Sequence, residues 1–207
     1  MARLLHIEAS PLKARSSSTS VAERFLHAYR SARPADDILK IDLWDVNLPP
    51  FDAETIGAKF AVLRTQSFTP EQWERWEAVR SISRRFNAAD KYVFSVPMWN
   101  FGVPYPLKHF IDVVTLPGEN WTWSKPRGYE PMLSGKKALL IYSSANDYAD
   151  RNHESDFLKP YLRRWLHFIG VHSICEIEIA PTLADAEVVA SRRATAIEEA
   201  ERLALAF

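Results

Sequence analysis

The sequence predicts an α/β fold of three layers: a five-stranded parallel sheet in the order 2-1-3-4-5, with helices on both faces. Three observations carry this. Short apolar runs alternate along the chain with segments of helical period, the signature of repeated β-α-β crossovers. Crossovers of this kind are right-handed and make neighbouring strands parallel. The first, third and fourth runs are continuously apolar, as strands buried on both faces must be, whereas the second and fifth alternate and belong at the edges.

The first strand, Arg3 to Ala9, is dominated by Leu4, Leu5 and Ile7, and Ser10-Pro11 breaks it. A hydroxyl-rich loop, Lys13 to Ser20, runs into a helix with Val21, Phe25, Ala28 and Tyr29 on one stripe. After the turn Pro34–Asp37, the stretch Ile38 to Trp44 alternates: Leu39, Ile41 and Leu43 against Lys40 and Asp42. Ala53 to Leu63 reads as a short helix. Thr69-Pro70-Glu71-Gln72 opens another, with a hydroxyl N-cap, proline in the first turn and Gln closing a capping box. Its core stripe is Trp73, Trp76, Val79, Ile82 and Phe86.

The third strand starts at Lys91 and is stopped by Pro97, which has no N–H for the ladder. Pro97, Pro104 and Pro106 stiffen the loop that carries Met98, Trp99, Asn100 and Phe101. Leu107 to Leu116 is a helix, ended by Pro117-Gly118, and Glu119 to Pro131 reads as an irregular excursion with Trp121, Trp123 and Tyr129. Ala138 to Tyr142 is the fourth strand, followed by Ser143-Ser144 and a polar loop from Ala145 to Ser155. A helix with Leu158, Leu162, Trp165 and Ile169 stops at Gly170. Ser173 to Ile179 is the fifth strand, and a last helix runs from about Asp185 to the end.

At 207 residues the chain suits one domain spanning 1–207. Its 26 basic and 26 acidic residues cancel, against a nucleic-acid or anionic-membrane partner, each of which needs a clustered basic excess. The single cysteine, Cys175, rules out an internal disulfide and reads as a small core residue. No apolar run is long enough to span a bilayer, and the start of the chain has no secretory pattern, so the expected compartment is the cytoplasm.

In a 2-1-3-4-5 sheet the order reverses between strands one and three, and ligands bind outside the carboxyl ends there. The serine-rich loop and the Pro97–Pro106 loop meet at that point, flanked by Ser143–Asn146. Free amides at a helix start, the helix dipole and added hydroxyls favour a phosphate, although serines before a helix serve equally well as caps. The six glycines at positions 57, 102, 118, 128, 135 and 170 leave none after the first strand. This excludes a G-x-G-x-x-G fingerprint and a phosphate-binding P-loop. There is no G-x-S-x-G elbow, and the six histidines show no metal spacing; His153 alone falls in a site loop. An anion cradle beside a stiff flat loop, with no evident catalytic side chain, points to a cofactor that carries the chemistry. FMN fits, with one phosphate and one flat ring system.

Several motifs together resemble the FMN-dependent NADH azoreductases, flavodoxin-like enzymes that also reduce quinones. These are Pro97-Met98-Trp99-Asn100-Phe101, Pro106-Leu107-Lys108 with Phe110 and Asp112, Ser10 with Ser16-Ser17-Ser18, Gly135-Lys136-Lys137-Ala138, and Leu166-His167-Phe168-Ile169-Gly170. They span nearly the whole chain. The resemblance implies that Ser10, Ser16, Ser17 and Ser18 hold the phosphate and ribityl side of FMN. It implies that Pro97, Met98, Trp99, Asn100 and Phe101 hold the ring, with Ser143 beside it. It implies a cytoplasmic homodimer whose sites are completed by partner aromatics, here Trp121 and Trp123, with Asn100 and Phe101 also facing the substrate. The expected activity is NADH- or NADPH-driven reduction of quinones and aromatic azo compounds by a ping-pong hydride relay. A flavodoxin-type electron carrier and an FAD-dependent quinone reductase are the alternatives. Two departures stand out. Ser143-Ser144-Ala145-Asn146 replaces the family's usual S-R-G-G, and Trp99 replaces its commoner tyrosine.

Overall fold

Strands form where β-branched and large apolar residues follow one another without helical spacing, and the most apolar of them sit innermost. In the computed structural model, which describes residues 1–148 and 153–207 with the His153 side chain excepted, the strands of the main sheet are β1 (Arg3–Glu8), β2 (Asp37–Asp42), β3 (Lys91–Pro97), β6 (Lys137–Ser143) and β7 (Ser173–Ile179). All pair in parallel, in the order β2-β1-β3-β6-β7. This is the expected 2-1-3-4-5, with the two alternating strands at the edges. The helices are α1 (Ser17–Ala32), α2 (Ala53–Arg64), α3 (Pro70–Asn87), α4 (Tyr105–Val114), α5 (Leu158–Ile169) and α6 (Ala186–Ala206). None of the described helices is long and apolar enough to cross a membrane.

One face of the sheet packs Phe94, Leu140 and Tyr142 against Phe86 of α3, Phe110 of α4 and Trp165 of α5. The other packs Val93, Leu139 and Ile177 against Phe25 of α1 and Ala200 of α6. Helix α2 rests on α3 and α4 through Ala58, Trp76, Val113 and Leu116. The boundaries follow local chemistry. Thr69 and Gln72 form the capping box that starts α3, and Gly170 takes the left-handed conformation that stops α5.

Four expectations need correction. Glu119–Pro131 is not irregular: β4 (Trp121–Ser124) and β5 (Gly128–Pro131) form an antiparallel hairpin. Its four-residue strands are too short to show a period. Trp73 is not in the core. It is half exposed, edge-on to Phe68 at 5.6 Å between centroids, because the core-facing side of α3 is already filled by Trp76, Val79 and Phe86. Leu39 is likewise half exposed, on the edge strand over a groove it shares with Arg85 and Ala88 at the end of α3. Cys175, on the edge strand β7, is only partly buried against the core. Of the polar loop expected from Ala145 to Ser155, positions 149–152 lie outside the described residues, as does the side chain of His153.

Candidate functional site

The sheet delivers the loops after β1, β3, β6 and β7 to one edge. There they surround a cavity of about 510 Å³. Of the residues singled out from the sequence, Ser10, Ser16, Ser17, Pro97, Met98, Trp99 and Ser143 line it. Ser16 is the N-cap of α1, its Oγ accepting from the Thr19 amide at 3.4 Å. The amides of Ser17 and Ser18, in the first helical turn, have no intrahelical acceptor. No acidic residue stands in that turn to oppose an anion. Ser18 is fully buried behind the cavity, with its hydroxyl 3.2 Å from that of Ser16, so it braces the cradle rather than lining it.

Lys13 turns away from the cavity to pair with Asp42 and, at 3.0 Å, with Asp45. Burial of the Asp42 carboxyl is outweighed by its hydrogen bonds from Lys13 and the Trp44 amide, which hold its pKa below the usual carboxylate range. The cation left on the cavity wall is Arg15.

The loop after β3 is a tight turn. Trp99 and Gly102 exchange two backbone hydrogen bonds, each of 3.0 Å, around Asn100 and Phe101. Both central residues have positive φ, 46° and 71°, the pattern of a type I′ hairpin turn. Asparagine tolerates that region; phenylalanine there is strained. The Met98 amide donates to the Ser143 carbonyl at 2.7 Å, locking this loop to the end of β6. Asn100 and Phe101 form the tip of the turn and do not line the cavity; Phe101 is half exposed beside it.

Trp121 and Trp123 are not brought to this cavity. The hairpin lies past the C-terminal end of α4, whereas the cavity lies before its start. Trp121 is buried, with ring contacts to Tyr129 and Phe168 at 5.5 Å each, while Trp123 is half exposed.

A phosphate monoester fits the helix-start amides, the serine hydroxyls and Arg15. A flat ring fits the stiff Pro97–Trp99 wall opposite. No residue of Ser143–Asn146 has positive φ, so the loop itself forms without glycine.

The Flavodoxin_2 family model, described as a flavodoxin-like fold, matches residues 2–204. The chain belongs to the Flavodoxin_2 family. Among curated proteins, the chain is 41% identical, over 98% of both chains, to the FMN-dependent NADH:quinone oxidoreductase of Desulfotalea psychrophila. It is 37% identical, over the full length of both, to FMN-dependent NADH:quinone oxidoreductase 9 of Burkholderia lata. Among solved structures it superposes with a TM-score of 0.85 and 25% identity on an FMN-dependent NADH-azoreductase from Bacillus anthracis in complex with FMN, covering 99% of this chain and 100% of that one.

In this Flavodoxin_2 chain, Pro11, Leu12, Arg15, Ser144 and Ala145 also line the cavity, from loops the sequence places at the site, and Thr182 is the wall residue that sequence reading missed. Thr182 follows the last strand, and the rule that ligands gather at carboxyl strand ends is the signal that reaches it. Also missed was an aromatic group at the rim. Trp44, whose Nε1 donates to the Ala9 carbonyl at 3.0 Å, lies 5.6 Å from the Trp99 ring and 5.5 Å from that of Tyr105.

Proposed function

We propose that this protein is an FMN-dependent NADH oxidoreductase that reduces quinones and aromatic azo compounds. The observation that carries the reading is the single cavity in which the start of α1, with Ser16, Ser17 and Arg15, faces the Pro97–Trp99 wall. The likeness to NADH:quinone oxidoreductases over the whole chain supports it.

In this reading Ser10, Ser16, Ser17 and Arg15 hold the phosphate, with Ser18 bracing Ser16. Pro97, Met98 and Trp99 hold one side of the ring system, and Ser143, Ser144 and Thr182 its edge. When bound, FMN supplies the hydride-accepting and hydride-donating centre that no side chain here provides. The protein positions and shields. The locked turn fixes the Trp99 wall, and the Trp44–Trp99–Tyr105 group at the rim offers flat surfaces to an aromatic acceptor. Asn100 and Phe101, at the turn's tip, face the incoming acceptor.

The reading includes a cytoplasmic homodimer in which the exposed Trp123, on a hairpin anchored by buried Trp121, closes the partner's site. The test is spectroscopic and kinetic. Purified protein reconstituted with FMN is expected to show flavin absorbance that anaerobic NADH bleaches. With a quinone as acceptor, initial-velocity lines at several NADH concentrations are expected to run parallel. Colourless protein that takes up no FMN overturns the reading, and intersecting lines overturn a shared docking face.

A further inference from the structure

The chain turns sharply between β1 and α1 at Lys13. Its φ of 52° lies in the left-handed region, which disfavours any residue with a Cβ. Backbone hydrogen bonding does little to hold Lys13 there, since its amide reaches the Ser10 carbonyl only at 3.5 Å. The turn nevertheless decides where the cradle at the start of α1 stands. The Lys13 carbonyl accepts from the Ser16 amide at 2.9 Å, and the Arg15 amide donates to the Leu12 carbonyl at 3.0 Å. The single 3-10 turn Lys13–Arg15 thus leads directly into the N-cap of α1.

What holds the turn is the lysine side chain. Its ammonium pairs with Asp42 and, at 3.0 Å, with Asp45. The two carboxylates are unequal: the Asp45 side chain is largely exposed, that of Asp42 only 15% exposed. An ion pair is worth more where water is partly excluded. Asp42 is also the fixed end. It closes β2 opposite Glu8 of β1, and the next residue, Leu43, donates its amide to the Glu8 carbonyl at 3.0 Å. One Asp42 oxygen accepts from Lys13, the other from the Trp44 amide at 3.0 Å. Burial of the ammonium is outweighed by its hydrogen bonds to the two carboxylates, so its pKa lies above the ordinary lysine value and the pair stays charged at neutral pH.

Lys13 does not line the cavity, whereas Leu12, Arg15, Ser16 and Ser17 on either side of it do. A cation so placed acts on a bound phosphate through the backbone it holds rather than by contact. We propose that Lys13 and Asp42 are positioning residues: their ion pair ties the left-handed turn to the sheet edge and thereby sets Arg15 and Ser16 for the FMN phosphate. The inference rests on the FMN reading of this cavity and adds to it the device that orders the cradle before the ligand arrives.

The test is FMN titration of the flavin-free full-length protein, followed by flavin fluorescence quenching, with the urea midpoint of each variant as the control on folding. Lys13→Met removes the charge and keeps the strain, and is expected to weaken FMN binding about fivefold. Its urea midpoint is expected within about 0.3 M of the parent, since a partly exposed pair contributes little to global stability. Lys13→Arg, which can still reach Asp42, is expected to bind within about twofold of the parent. Lys13→Gly takes the same φ without strain and is expected to bind more tightly than Lys13→Met. Asp42→Asn keeps an acceptor for the Trp44 amide and is expected to weaken binding about as much as Lys13→Met does. The double variant is expected to bind within about twofold of either single one, because both remove the same pair. A lysine acting directly on the phosphate gives the opposite pattern: Asp42→Asn frees the cation and tightens binding, and glycine is no better than methionine. That pattern overturns the proposal, as does additive loss in the double variant. A parent that takes up no FMN fails the cofactor reading itself; a parent that binds FMN beside a Lys13→Met variant of equal affinity fails only the role of the pair.

Discussion

Thr182 donates twice to the carbonyl of Ser144, through its backbone amide at 2.9 Å and its hydroxyl at 3.0 Å. Together with the Leu183 amide on the Ala145 carbonyl, at 3.2 Å, this joins the loop after β7 to the loop after β6. The segment is thus stiffened by a neighbouring loop, and its side chains Ser144 and Ala145 stay at the cavity edge. Thr182→Val keeps the shape and removes one donor, at a cost of about 1 kcal/mol to the local geometry. FMN affinity measured by flavin fluorescence quenching is expected to fall about fivefold, with the melting temperature within about 2 °C of the parent. Unchanged affinity would show that the backbone bond alone holds this wall.

The start of α1 has two separable roles, capping and anion binding. Ser16→Ala removes the N-cap acceptor and is expected to lower stability by about 1 kcal/mol in urea denaturation. Ser17→Asp acts in the opposite sense on the helix. A carboxylate in the first turn stabilises the helix by about 0.5 kcal/mol through the dipole. The same charge repels a phosphate, so the FMN dissociation constant is expected to rise at least about tenfold. A variant that is both more stable and poorer at binding separates the two roles; one that binds FMN normally reduces the cradle to a cap.

What the sequence made legible depends on how far each feature is written locally. Strand order was readable because burial on both faces leaves continuous apolar runs, as in Val93–Val96 and Leu139–Tyr142, while one-sided burial leaves alternation, as in Glu176 and Glu178 of β7. That Ser10, Ser16 and Ser17 would meet at one cavity was readable because a strand end, a serine run and a helix start follow one another closely in the chain. Thr182 and Trp44 were not, since each is a single residue that only the sheet order carries to the site. The type I′ turn was hidden because Asn100-Phe101 lacks the glycine that usually marks it. The hairpin was hidden because Trp121 packs by tertiary contact with Tyr129 and Phe168 rather than by alternation.

The strain at Phe101 predicts a substitution that works against intuition. Its φ of 71° is natural to glycine and costs a bulky residue about 1 kcal/mol. Its ring is half exposed, so little packing is lost on removal. Phe101→Gly is therefore expected to leave the urea midpoint unchanged or higher, and Phe101→Val to lower stability by about 1 kcal/mol or more. If the ring instead faces an aromatic acceptor, Phe101→Gly also raises the KM for a quinone while the FMN dissociation constant holds. A sharp loss of stability in the glycine variant would mean that the exposed ring is packed in solution.

His6 makes folding depend on pH in a way that can be signed. It is 1% exposed in β1, Nε2 lies 3.0 Å from Ser95 Oγ, and Nδ1 is buried without a partner. Burial first, and then the charge of Lys40, lower its pKa to about 3, with Asp42 opposing. An unfolded histidine titrates near 6.5. Between about pH 6.5 and 3, then, the unfolded chain binds a proton that the folded chain refuses. Stability is fully present above pH 6.5 and falls as the pH drops, at up to about 1.4 kcal/mol per pH unit. Lowering the pH from about 7.5 to about 5.5 is expected to cost the parent about 1.4 kcal/mol more than it costs His6→Gln, which offers Ser95 a hydrogen bond but does not titrate. The comparison is by urea denaturation at the two pH values, which cancels the carboxylates common to both proteins. Equal losses in the two would mean that the folded chain accepts the proton on His6, and that Lys40, which also pairs with the buried carboxylate of Glu8, yields to let it in.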